Sequence, residues 1–335
     1  MKKRWGIILT AIVLVLLIYV LKDIEFVKVA KLINKMNLFY FSLAFLSFFL
    51  SILLSNVRFQ ICVYELIRSD FWFLLKVLFA GNFINAITPG AGTGGEPVRA
   101  YFLGEKYKTS KTKFFGTIIA DKFFGLVVQV FFTIASLFFI FIYLDIHANL
   151  KIIFESFIAI IFIIILVRAI LTWKKIKFNS NYFYEKIFKY KFIKKRFKSP
   201  FHLKRYITKK IAHFIDSFKC SIVNKKRFAI NLFLSLIIWL LIYLSSYFLF
   251  LALDVRVNFL SVIVVVAMGY LIGDISPVPG GIGLAESTMF ILYSAMGIEP
   301  SLAAIVALLS RMIYYFFSIP LGGLSLIYLR ATQKP

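Results

Sequence analysis

Repeated apolar runs of bilayer length constrain this chain more than any other feature. Runs at 5–21, 38–66, 113–145, 150–172, 228–253 and 300–328 approach or pass the roughly 18 to 20 residues that a helix needs to cross the hydrocarbon core. A soluble domain has too little interior to hide a chain that is 61% hydrophobic and carries 40 Phe, whereas helices facing lipid need no hiding. The fold class expected is therefore an all-α integral membrane protein, a polytopic helical bundle in the cell membrane. The first run, Trp5 to Val20 behind Lys2, Lys3 and Arg4, lacks the small-residue cleavage site of a signal peptide and reads as a retained span.

The formal net charge of +25 raises the question of nucleic acid, and the placement of the charge answers it. Eighteen of the 40 Lys and Arg fall between Lys174 and Arg227, against two acids, Glu185 and Asp216. A basic loop beside membrane spans is a cytoplasmic topology signal attracted to anionic lipid, so membrane lipids and not nucleic acid are the partners expected. Within this linker, about 173–227, Phe201, Ile207, Ile211, Phe214, Phe218 and Ile222 recur at helical spacing with Lys209 and Lys210 opposite, which predicts an amphipathic helix on the membrane surface. Cys62 and Cys220 stand far apart, and His147, His202 and His213 lie outside the spans. No disulfide framework, metal site or cofactor is expected.

Four further apolar segments, 71–88, 89–104, 257–277 and 279–297, are short and meet in pairs at glycine- and proline-rich breaks. The first pair meets at Pro89, Gly90, Gly92, Gly94 and Gly95, the second at Pro277, Pro279, Gly280, Gly281 and Gly283. Each pair reads as a broken or re-entrant hairpin. Placing "PGAGTGGE", Pro89 to Glu96, above "PGGIGLAE", Pro279 to Glu286, aligns Pro, Gly and Glu at an offset of 190 residues. The same offset carries the span starting near Leu38 onto that near Phe228, and the span from Lys113 onto Ala303. It also carries Asp121 onto Arg311, each 25 residues beyond its glutamate. The domain organisation expected is one membrane domain, 1–335, containing a first repeat at about 38–145 and a second at about 228–328.

Counting crossings from Lys2, Lys3 and Arg4 on the inside puts both termini and the basic linker in the cytoplasm, with the mildly basic segment Lys22 to Lys35 outside. Three crossings separate the two repeats, so they are inverted. Inverted repeats with interrupted helices are the architecture of secondary transporters, in which broken helix ends point at a ligand near the middle of the bilayer.

An ionisable group inside the membrane costs at least about 2.5–3.5 kcal/mol and marks a functional site. The candidates are Glu96, Arg99, Asp121, Lys122, Asp274, Glu286 and Arg311. The expectation is that Glu96, Asp121 and Glu286 pair with Arg99, Lys122 and Arg311 across the pseudo-twofold axis. Asp274 is either a partner for Arg311 or a proton-coupling group. Glu96 precedes Pro97, so it belongs in the first turn of a helix, where it either caps the helix or binds a cationic moiety or coupling proton. Arg58 lies near the cytoplasmic end of its span and reads as snorkelling to the interface. Gly90, Gly92 and Gly95 formally satisfy GxGxxG but lack the preceding strand of a dinucleotide site. No GxSxG, His-based metal pair or activated nucleophile is present, so no catalytic residue and no enzyme is expected.

The stretches "NFINAITPGAGTGGEPVRAYFL", "DKFFGLVVQ", "SPVPGGIGLAE" and "LLSRMIYYF" resemble the flippase-like membrane domain of lysylphosphatidylglycerol synthases and of stand-alone, UPF0104-like membrane proteins, over about Trp5 to Leu329. The resemblance implies movement of a lipid between leaflets, with Glu96, Arg99, Asp121, Glu286 and Arg311 as the matching polar positions. The soluble domain that attaches the amino acid in bifunctional members is not expected within these 335 residues, so lipid aminoacylation is not carried over. The leading expectation is a lipid translocase for an anionic or zwitterionic head group, coupled to a proton or cation. Alternatives are an ion or small-solute carrier, a membrane-embedded lipid-modifying enzyme using paired carboxylates, and a scaffold that docks a membrane glycosyltransferase on residues 174–227.

Overall fold

The computed structural model describes residues 34–88, 94–143, 188, 197, 199–276 and 278–332. The expected spans at 5–21 and 150–172, the segment Lys22 to Lys35 except its last two residues, most of the linker at 173–198, and Pro89, Gly90, Gly92 and Pro277 lie outside them. The described residues contain no strand. They form ten α-helices, a short 3-10 turn and a π turn, and four helical stretches are long and apolar enough to cross a membrane.

The helix starts are written in the sequence. Asn37, Asp70, Ser199, Asn224 and Asn258 each accept a hydrogen bond from a first-turn amide, beginning α1 (Leu38–Val63), α2 (Phe71–Ile87), α5 (Pro200–Val223), α6 (Lys225–Ala252) and α7 (Phe259–Ile275). Such caps satisfy amides that have no partner inside the helix. Proline opens α5 and α9 (Pro300–Phe316), where its missing N–H costs nothing. The remaining helices are α3 (Gly95–Tyr107), α4 (Lys111–Tyr143), α8 (Leu284–Ala295) and α10 (Gly322–Thr332). α9 runs into α10 through a π turn, Phe317–Leu321, around Pro320, which can donate no backbone bond to the helix ladder.

The two hairpins differ from their expected bounds. The second arm of the first begins only at Gly95, because the glycine-rich stretch before it is unsuited to a helix, and it continues to Tyr107. The segment at 279–297 divides into a 3-10 turn at Pro279–Gly281 and α8, because Gly280, Gly281 and Gly283 take positive φ. The arms α2 and α3, of 17 and 13 residues, rise about 25 Å and 20 Å, less than the hydrocarbon core of about 30 Å. Such arms suit re-entry better than independent crossing.

Small residues set the spacing of the bundle. α1 and α6 lie antiparallel along their whole length: Asn37 N donates to Ala252 O at 2.8 Å, Ser245 Oγ to Ala44 O at 2.9 Å, and Asn231 Nδ2 approaches Cys62 Sγ at 3.6 Å. Ser47 and Ser51 of α1 and Ser235 and Ser246 of α6 are buried as well, small residues of the kind that let membrane helices approach closely. Within the first hairpin a Cβ on Gly95 would stand 2.1 Å from Gly81 O, so the two arms touch backbone to backbone. In the second, Gly281 lies against Gly273 in the same manner. α2 packs on α10 and the π turn, while α7 packs on α4. The two hairpins meet where Gly280 reaches Ala86 of α2.

The outer surface is apolar. Leu126, Val130, Phe131, Ile134, Phe138 and Phe141 of α4 are exposed, and only 33% of the most apolar stretch of that helix is buried. In water such a face would be untenable; in lipid it is at rest. The amphipathic linker helix α5 exists, but its apolar face is partly taken up by the protein. Phe214 and Phe218 pack on α4, with Phe214 O against Gly116, while Phe201 and Ile211 stay exposed.

Candidate functional site

Six charged side chains, those of Arg58, Glu96, Arg99, Asp121, Lys122 and Asp274, line a cavity of about 270 Å³. Its polar lining comes from α1 (Ser55, Arg58), α2 (Asn82, Asn85), α3 (Glu96, Arg99), α4 (Asp121, Lys122) and α7 (Asp274), with Tyr314 of α9. It is not sealed: Asp274 is exposed, and the Lys122 side chain keeps 31% of its surface.

Asp121 is the anchor of one part of the cavity. Its Oδ1 accepts from Arg58 Nε at 2.9 Å and its Oδ2 from Arg99 NH2 at 3.3 Å, with all three side chains buried. Arg58 also donates to Ser235 Oγ at 2.8 Å, and the Arg99 guanidinium lies 4.0 Å from the centre of the Phe59 ring. Two buried cations therefore share one carboxylate. Arg99 Nε has no hydrogen-bond partner among the described residues. Because a buried charge is tolerated only when paired, this cluster has room for a further anionic oxygen.

One residue further along α4, Lys122 Nζ bonds Glu96 Oε1 at 2.9 Å. Glu96 sits in the first turn of α3, as Pro97 after it implies, and its Oε2 is buried without a partner among the described residues. The mouth of the hairpin is closed by Asn85, whose Oδ1 accepts from Gly95 N at 2.6 Å. Two turns beyond Asp121, about 12 Å along the helix axis, Gln129 Nε2 donates to Asp274 Oδ2 at 3.0 Å. Asp274 makes no ion pair among the described residues. Lys122, Arg311 and Glu96 are all within electrostatic reach of it.

Glu286 and Arg311 stand beside this cavity and do not line it. Arg311 Nε bonds Glu286 Oε1 at 3.1 Å, and its NH2 bonds Tyr315 Oη at 3.1 Å and the carbonyl of Gly280. The second carboxylate oxygen of Glu286 accepts from Gly283 N at 2.7 Å, half of a capping box at the start of α8. The guanidinium lies 4.9, 5.3 and 5.8 Å from the rings of Tyr314, Tyr315 and Tyr270. Tyr314 faces the cavity as well and so joins the two clusters.

Three expectations need correction. The ion pairs do not bridge the halves: Glu96–Lys122, Arg99–Asp121 and Glu286–Arg311 all lie within one half, because the glutamate in the first turn of each second arm is met by a cation on the long helix that follows. Asp274 bonds Gln129 and not Arg311, whose Nε bonds Glu286 and whose NH2 bonds Tyr315 and Gly280. Arg58 is buried against Asp121 and does not snorkel to an interface. The sign that could have found it is the stripe Ser51, Ser55, Arg58 and Cys62, polar or small at i, i+4, i+7 and i+11, which marks one face of α1 as turned to the protein.

Residues 6–322 match the family described as the lysylphosphatidylglycerol synthase TM region. Among curated proteins, the chain is 31% identical over 327 residues to the UPF0104 membrane protein PH1989 of Pyrococcus horikoshii, covering 96% of each chain. It is 28% identical over 310 residues to the UPF0104 membrane protein MJ1595 of Methanocaldococcus jannaschii, covering 90% of this chain and 88% of that one. A UPF0104 membrane protein of Methanothermobacter thermautotrophicus is 28% identical over 258 residues, or 76% of this chain and 75% of that one. With a described bundle of membrane-length helices and a match over nearly its whole length, this chain is a membrane protein belonging to the lysylphosphatidylglycerol synthase TM region family.

Proposed function

We propose that the protein moves a lipid between leaflets of the cell membrane, passing an anionic or zwitterionic head group through the central cavity while the chains stay in the bilayer. The observation that carries this reading is the separation of charge in one cavity. Among the described residues, Arg58 and Arg99 share a single carboxylate and leave one positive charge uncompensated, whereas Asp274 is held only by the neutral Gln129. A phosphate suits the first place; the ammonium of a zwitterionic head group, or a coupling proton or cation, suits the second. Lys122 and Glu96 cancel one another between them.

We read the two halves as inverted repeats about this cavity, with both termini cytoplasmic. In support, the contact of α2 with α10 corresponds under the 190-residue offset to that of α7 with α4, and α3 on α4 corresponds to α8 on α9. We read the protein as a transporter without a chemical step, since Glu286 is engaged by the helix cap and Arg311 and does not face Glu96 across a substrate.

Leaflet exchange of head-group-labelled phospholipids in proteoliposomes tests the reading. Wild-type protein is expected to exchange label well above protein-free vesicles. Asp274→Asn, which keeps the hydrogen bond to Gln129 but removes the charge, is expected to slow exchange at least about tenfold, the worth of one charged hydrogen bond. Equal rates for wild type and Asp274→Asn, or no exchange above the empty vesicles, would contradict it.

A further inference from the structure

A second and larger cavity, about 640 Å³, opens where α1 ends and α6 begins, and it shares no lining residue with the central one. Its wall carries three cations, Arg68, Lys226 and Arg227, and no carboxylate. Glu65, outside this lining, bonds Arg227, so the three cations of the wall share one carboxylate among the described ion pairs. Arg68 and Arg227 both lie against one ring, that of Tyr64, at 5.6 and 5.0 Å from its centre. Tyr64 thus gathers two guanidiniums that would otherwise repel each other.

Two features make this arrangement costly without an anion. Lys225, Lys226 and Arg227 occupy the first turn of a 28-residue helix, where the helix dipole disfavours cations, and that turn contains no acid. The connector bearing Arg68 is also pinned, so the charge cannot simply swing away: Gln60 Nε2 donates to Ser69 O at 2.9 Å, and Ser69 Oγ meets Tyr107 Oη at 2.6 Å. The same cavity has an apolar side, Ile61 and Ile230, and both helices that frame it are long and apolar enough to cross a membrane. The place is therefore at the end of two spans, with cations toward the polar phase and isoleucines toward the apolar one.

We propose that this cavity binds the phosphate of an anionic membrane lipid at the bilayer boundary, with Arg68, Lys226 and Arg227 holding the phosphate oxygens and Ile61 and Ile230 bordering the first carbons of the chains. The occupant is a lipid and not free phosphate, because a soluble anion has no use for the apolar wall. The proposal goes beyond the central transport site and does not depend on it.

The test uses the full chain, purified in detergent and transferred to nanodiscs or mixed micelles of phosphatidylcholine with or without phosphatidylglycerol. Phosphatidylglycerol retained per protein is measured by native mass spectrometry, and thermal stability is followed alongside. In wild-type protein, phosphatidylglycerol is expected to raise the melting temperature and to remain bound through mild delipidation. The Arg68→Gln/Lys226→Gln variant, altered at two exposed side chains, is expected to melt like wild type in pure phosphatidylcholine and to bind phosphatidylglycerol about thirty-fold more weakly, from about fivefold per juxtamembrane cation. Lys226→Glu alone should lower affinity further than Lys226→Gln. Lys209→Gln/Lys219→Gln removes the same charge from α5 and should leave affinity unchanged. Equal affinity in wild type and the Arg68/Lys226 variant, an equal loss in the α5 control, or saturation of wild type by millimolar inorganic phosphate without phosphatidylglycerol would each overturn the proposal.

Discussion

Removing the Asp121 carboxylate leaves two buried guanidiniums, from Arg58 and Arg99, without their counter-charge. Asp121→Asn is therefore expected to destabilise the protein by about 3–5 kcal/mol, the usual cost of breaking a buried pair from one side. Asp274→Asn, at an exposed group with a neutral partner, should shift stability by less than about 1 kcal/mol. Unfolding in detergent, followed by tryptophan fluorescence or by a thermal shift, separates the two. The same contrast holds for the glutamates. Glu286→Gln leaves one neutral oxygen where two carboxylate oxygens served the α8 cap and a buried arginine, while Glu96→Gln leaves a partly exposed lysine, so the first should lower the melting temperature by clearly more than the second. Of these residues, Glu96, Arg99, Asp121 and Arg311 are legible in the sequence as charges within apolar runs. Arg58 is not, because a charge near a span end has a cheap alternative in snorkelling, and only the side-chain face reveals that it turns inward. Pairing partners are equally hidden, since they depend on which helix lies alongside.

At the scale of elements, the glycines of the hairpins are contact residues more than hinges. Gly95→Ala would place its methyl group in the backbone of Gly81, and the arms α2 and α3 must part to admit it. An expected loss of about 1–3 kcal/mol follows from such overpacking, and the cavity mouth closed by Asn85 opens with it. Gly323→Ala in α10, where the nearest atom would be 3.7 Å away, is the matched control and should be neutral or stabilising. Comparing melting temperatures of the two variants checks this. The spans and their caps are readable because an Asn or Asp before an apolar run has one structural use there. The extent of the second arm is less readable: glycine and proline announce a break at 89–95, but not the residue at which the helix resumes. For α5, periodicity identifies the helix, whereas its docking on α4 through Phe214 and Gly116 depends on a neighbour that periodicity cannot specify.

At the scale of the whole molecule, an apolar shell of long helices surrounds a charged interior that two short hairpins help to line. A soluble protein would bury the shell and expose the charge; here the surroundings reverse that order. A cavity that carries a head group between leaflets must open to both faces of the membrane in turn. Cysteine accessibility at Asn82, a polar residue of its lining, tests this most directly. In a Cys220→Ser background, since Cys220 is exposed and Cys62 buried, Asn82→Cys is treated with a membrane-impermeant maleimide in right-side-out and in inside-out vesicles. Labelling is expected from both sides, with anionic phospholipid slowing it from each. Labelling from one side alone, under every lipid and ion condition, would contradict lipid passage through the central cavity.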